Sequence, residues 1–75
     1  MLPNARVLAE KDAYVLRLTM LQLSFAEGRG QSLVPSALGY ADHLRSLKAE
    51  APPVLHPELD TLIREYEAFA KACSN

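Results

Sequence analysis

Residues 51–57 read APPVLHP. Proline has no amide hydrogen and its ring clashes with the preceding turn, so a helix arriving from the N-terminal side stops at the first of these prolines. Pro57, by contrast, suits the first turn of a new helix, with Glu58 near that helix's positive end. A second break, EGRGQS at residues 27–32, puts glycine where a helix would end and offers Ser32 as a cap for the next one. The two breaks divide the chain into three segments, and the reading is an all-α protein with helices at about 4–27, 33–50 and 57–73.

Apolar periodicity supports each segment. The middle one carries Leu33, Ala37, Tyr40, Leu44, Leu47 and Ala51, spaced four-three-four-three-four, and turns Asp42, His43, Arg45 and Glu50 to the other face. The last repeats the pattern with Leu55, Leu59, Leu62, Tyr66, Phe69 and Cys73, backed by Ile63 and Ala70. Its outer face is Asp60, Arg64, Glu65, Glu67 and Lys71. No internal repeat, low-complexity tract or strand pattern interrupts this layout.

The first helix departs from that rule. Its stretch YVLRLTMLQLSF, residues 14–25, holds one charge in twelve positions. At about 100° per residue, Val7, Tyr14, Leu18, Leu21 and Phe25 fall within roughly 60° of one another and make one seam. Ala9, Leu16, Met20 and Leu23 fall on nearly the opposite side, and Leu8 and Val15 join the two. Only Arg6, Glu10, Arg17 and Ser24 leave a polar strip. In a three-helix bundle each helix meets its two neighbours in directions about 60° apart, so one stripe serves both. The second seam then has no use inside one molecule, and soluble monomers rarely expose so contiguous an apolar patch. Either the third helix wraps round to bury both seams, or Leu16, Met20 and Leu23 form an interaction surface. A second copy is the expected occupant, because twofold dimers are the commonest soluble oligomers.

The size of the chain points the same way. A domain of 75 residues buries only about 60% of the surface its unfolded chain exposes, and its core is thin. A single cysteine, Cys73, leaves no internal disulfide, and no Cys/His grouping has zinc spacing. Hydrophobic residues at 49% and charged residues at 23% exclude disorder. A net charge of -1 gives no general attraction to nucleic acid or anionic lipid. Lys11 and Asp12 precede any long apolar run, so no signal-peptide core is read, and no uncharged run approaches the roughly 20 residues of a membrane span. The expected location is the cytoplasm, with no membrane partner.

No polar constellation points to catalysis. His56 lies between Leu55 and Pro57 at a helix start, where a capping or loop role is expected. His43 is expected in solvent: it neighbours Asp42, but adjacent helix residues point about 100° apart and make no dyad. Cys73 falls on the apolar stripe and reads as a small buried hydrophobe. The serines lack His/Asp companions in a recognisable motif. GRG at residues 28–30 lacks the strand and the lysine of a phosphate loop and reads as a helix terminator followed by a mobile loop. Glu58, Asp60, Glu65 and Glu67 read as a solvated face. A recognition helix would supply Arg, Lys, Asn or Gln to DNA, whereas the third helix is acidic and the second offers only Arg45 and Lys48 against Asp42 and Glu50, so direct nucleic-acid binding is not expected.

The expectation is therefore a non-enzymatic protein–protein interaction module, an adaptor, secretion co-chaperone or regulator, working as a homodimeric helical bundle without cofactor or metal. In size and layout it looks like the small helical chaperones and anti-activators of bacteria, an analogy in which no motif takes part. Two other readings stand beside it. One is a small helical enzyme whose site forms across the dimer, with Arg17 or Arg29 binding an anionic substrate. The other is an accessory factor of a DNA-binding regulator.

Overall fold

A computed structural model describes residues 3–74. Helices α1 (Pro3–Ala26), α2 (Val34–Glu50) and α3 (His56–Ser74) are joined by two short 3-10 turns, Gly30–Leu33 and Pro53–Leu55, with no strand among the described residues. Each helix end falls within one residue of its sequence reading, the usual scatter at frayed termini.

The breaks work largely as their chemistry dictates. At the end of α1, Gly28 adopts φ +90°, the left-handed conformation that costs glycine nothing. It lets the Gly28 amide donate to the Phe25 carbonyl at 3.0 Å and the Arg29 amide to the Ser24 carbonyl at 3.3 Å, the paired bonds of a Schellman end. The residues after it form a 3-10 turn, Gly30–Leu33, where an irregular loop was expected. A β-carbon on Gly30 would stand 3.3 Å from the Phe25 ring, so the turn packs closely on the end of α1. The expected Ser32 cap is not made. Its hydroxyl donates to the Arg29 carbonyl at 2.8 Å, one turn back, and α2 starts at Leu33 without a side-chain cap. Proline in the first turn of α2, which has no amide to satisfy, reduces the need for one. At the second break Ala51 takes ψ 150°, the extended backbone forced on a residue before proline.

α2 and α3 make the most extensive pairing, and α1 lies against both. Ala37, Ala41, Leu44 and Leu47 of α2 meet Leu59, Leu62, Ile63, Tyr66 and Ala70 of α3, and Val7, Tyr14 and Leu18 of α1 close the core. Ala41 lies outside the sequence stripe yet is fully buried. The small side chains at 37 and 41 leave room for a neighbouring helix to come close.

Tyr66 is the largest wholly buried side chain, and its hydroxyl donates to the Tyr14 carbonyl, fastening α3 to the middle of α1. Burial pushes the Tyr66 phenol up from its usual value to about 12. Between about pH 10 and pH 12 the unfolded chain gives up this proton while the folded chain keeps it, so the unfolded state binds fewer protons and stability falls as pH rises. Tyr66→Phe is expected to cost about 1 kcal/mol at neutral pH, the net value of one hydrogen bond, and to flatten the decline above pH 10. Urea unfolding at pH 7, 10 and 11.5 checks both, and an unaltered alkaline slope would contradict the assignment.

Salt bridges stitch the outer edges. Arg6 reaches Glu50 at 2.9 Å, Lys11 reaches Glu58 at 2.9 Å, Lys48 reaches Asp60 at 2.7 Å, and Arg45 pairs with Glu67. Glu58, Asp60 and Glu67 lie on the outer face of α3, as their spacing predicts, and there also serve as inter-helix partners. The hydrogen bond to Glu58 raises the Lys11 ammonium above its ordinary value, and the bond from Lys48 lowers the Asp60 carboxyl. Such exposed pairs contribute about 0–1 kcal/mol each, so they fix helix register more than stability.

Candidate interaction surface

The packing of α1 separates its two seams. Val7, Tyr14 and Leu18 are buried and Leu21 is partly buried against the core. Phe25, assigned to the inner seam, remains 43% exposed with its ring edge-on to Phe69 at 5.8 Å, because the core ends where α1 runs into the Gly28 turn. On the opposite side Leu16, Met20 and Leu23 are 67%, 66% and 62% exposed, with Leu8 and Val15 also exposed beside them. α3 does not wrap round to cover them. Ala9 is exposed and Ala13 half-buried, and the positions 9, 13, 16, 20 and 23 follow the four-three spacing of a helix-packing seam. Among the described residues the other large exposed apolar side chains, Leu38 and Val54, lie on α2 and in the turn before α3.

Two grooves border α1. On the α3 side a shallow groove of about 400 Å³ is lined by Lys11, Val15, Glu58, Thr61, Leu62 and Glu65. On the α2 side a groove of about 330 Å³ is lined by Arg17, Met20, Leu21, Ser24 and Tyr40. There the Arg17 guanidinium sits 4.8 Å from the Tyr14 ring centre and 5.5 Å from that of Tyr40, a cation–π contact worth about 0.5–1 kcal/mol at an exposed site. Tyr14, Tyr40 and Tyr66 meet edge to face with centroids 5.3–6.4 Å apart, spanning all three helices. The sequence placed these tyrosines in the core but not in one cluster.

His43 is half-exposed, as expected, but engaged: its ring lies 5.1 Å from that of Tyr14, and Nε2 is 3.6 Å from Glu10 Oε1. Asp42 pairs with Arg45 at 2.6 Å and not with His43. His56 Nε2 lies 3.1 Å from the Ala51 carbonyl oxygen, tying the proline-rich break together. Cys73 is buried, and burial pushes its thiol pKa up. Arg29 is exposed in the turn after α1, while Arg17 lies against the tyrosines, so the two arginines occupy different surroundings. Among the described residues no group of three or more His, Cys, Asp or Glu side chains is placed to hold a metal ion. No described helix is long and apolar enough to cross a membrane.

The molecule is thus a three-helix, all-α protein with one helix apolar on both faces. Comparison with protein-family models, with curated proteins and with solved structures finds no match.

Proposed function

We propose that this protein is a small, non-enzymatic protein–protein interaction module of the cytoplasm, an adaptor, co-chaperone or regulator that acts through the outer face of α1 as a homodimer. The observation that carries this reading is the exposure of about two-thirds of Leu16, Met20 and Leu23 along one line of a helix whose other side is anchored in the core. Burying such a line contributes about 25 cal/mol per Å² of apolar surface removed from water, and α1 presents it pre-formed, with little ordering cost on association. The near-neutral net charge of -1 leaves apolar burial as the main attraction.

A pull-down from native lysate with the unmutated chain and with Met20→Glu tests the module reading. A protein retained by the first and lost from the second is the expected outcome. Retention of nothing, or equal retention by both, would contradict it, and capture of a DNA-binding regulator would shift the reading to an accessory factor.

A further inference from the structure

We infer that the groove between α1 and α2 binds a small amphipathic carboxylate, with Arg17 holding the carboxylate group and Met20 and Leu21 flooring its apolar chain. Arg17 is the only charged residue among positions 13–26 of α1, and the facing stretch 30–41 has none. Among the described residues its guanidinium has no carboxylate partner, although Arg6, Lys11, Arg45 and Lys48 each hold one. The acids nearest along the two helices do not cancel it. Glu10 is held by Arg6 at 2.6 Å and Asp42 by Arg45 at 2.6 Å, while Glu27 lies ten residues up α1, about 15 Å along the axis.

The two tyrosine rings hold this cation in place. With the guanidinium 4.8 Å from the Tyr14 ring centre and 5.5 Å from that of Tyr40, its aromatic contacts leave hydrogen-bonding N–H groups for an anion. Ser24 and Tyr40, both half-buried, line the same groove, and neither hydroxyl is engaged by another described residue. The other grooves lack this character because each brings a carboxylate of its own. Lys11 shares the α3-side groove with Glu58 and Glu65, and Lys71 shares a groove of about 290 Å³ between α2 and α3 with Glu67.

The lining also selects the ligand. A single guanidinium matches one negative charge, and its paired N–H groups match the two oxygens of a carboxylate, whereas a phosphate brings a second charge that nothing in the groove meets. Arg17, Met20, Leu21 and Ser24 stand at i, i+3, i+4 and i+7, so the cation, the apolar floor and the Ser24 hydroxyl follow one strip of α1. That strip is about 10 Å long, room for a medium-chain carboxylate such as octanoate. The site is complete within one chain, so it does not depend on the homodimer proposed above, and a monomer in solution leaves it standing.

Titration of the ¹⁵N-labelled chain with octanoate, 1-octanol and inorganic phosphate, followed by nuclear magnetic resonance, tests the assignment. Octanoate should shift the amide signals of residues 17, 20, 21, 24 and 40 and the Arg17 side-chain N–H, saturating with a dissociation constant of about 0.1–10 mM, as suits so small a ligand in an open groove. Octanol, which keeps the chain and lacks the charge, should bind about tenfold more weakly or worse, and so should phosphate, which lacks the chain. Arg17 is exposed, so Arg17→Met should keep the parent's helical signal while losing octanoate affinity by a similar factor. Should that variant fail to fold, the comparison of octanoate with octanol on the unmutated chain decides alone. Equal binding of octanol or of phosphate, undiminished binding by a folded Arg17→Met, shifts centred on Leu16 and Leu23, or no saturable shift with octanoate would each overturn the proposal.

Discussion

Leu44→Ala is expected to lose about 2–5 kcal/mol of folding stability, the range seen when a buried leucine leaves a cavity that its surroundings only partly fill. Leu44 is fully buried at the centre of α2, in the cluster that joins all three helices. Its near neighbours on that face, Ala37 and Ala41, are too short to occupy the void. Domains are stable by only about 5–15 kcal/mol, and one of this size is expected near the lower end, so the substitution should unfold a large share of the molecules at physiological temperature. Thermal unfolding followed by circular dichroism reads the effect. An unchanged Tm would contradict the core described above.

Met20→Glu carries the second large effect, and it acts between molecules. Met20 makes little contribution to the monomer's own core, which rests on Val7, Tyr14 and Leu18 across the same helix. In the proposed dimer the new carboxylate enters the apolar seam of Leu16, Met20 and Leu23 without a counter-charge, at a cost of several kcal/mol per chain if it stays buried. The expected product is a helical monomer of lower stability. Because an obligate dimer can lack a stable monomer, loss of helical signal together with loss of the dimer also agrees with the proposal. A variant that keeps both its dimer and its melting temperature would contradict it.

The fold was largely legible because its signals are local. Proline chemistry at 51–57 and the glycine at 28 need no tertiary information, and the four-three spacing of α2 and α3 names all but a few of the buried residues. Ala41 escaped because a lone alanine reads equally well on either face, and only the neighbouring helix decides which. Ser32 misled because a serine before a helix can reach either a forward amide or a backward carbonyl, and the 3-10 turn gives it the Arg29 carbonyl. The inter-helix ion pairs and the tyrosine cluster depend on register between helices, which a linear pattern does not encode: Tyr66 and Tyr14 are 52 residues apart in the chain. For the interaction surface the sequence offered two outcomes, a second seam buried by α3 or a second seam left open, and the exposure of Leu16, Met20 and Leu23 removes the first.

The mass of the unmutated protein in solution tests the central claim most directly. Light scattering from a few micromolar to several hundred micromolar should return about 17 kDa, twice the 8.3 kDa of one chain, across the upper part of that range. A particle of 8.3 kDa that persists at the highest concentration would contradict the homodimer and leave the outer face of α1 to a foreign partner.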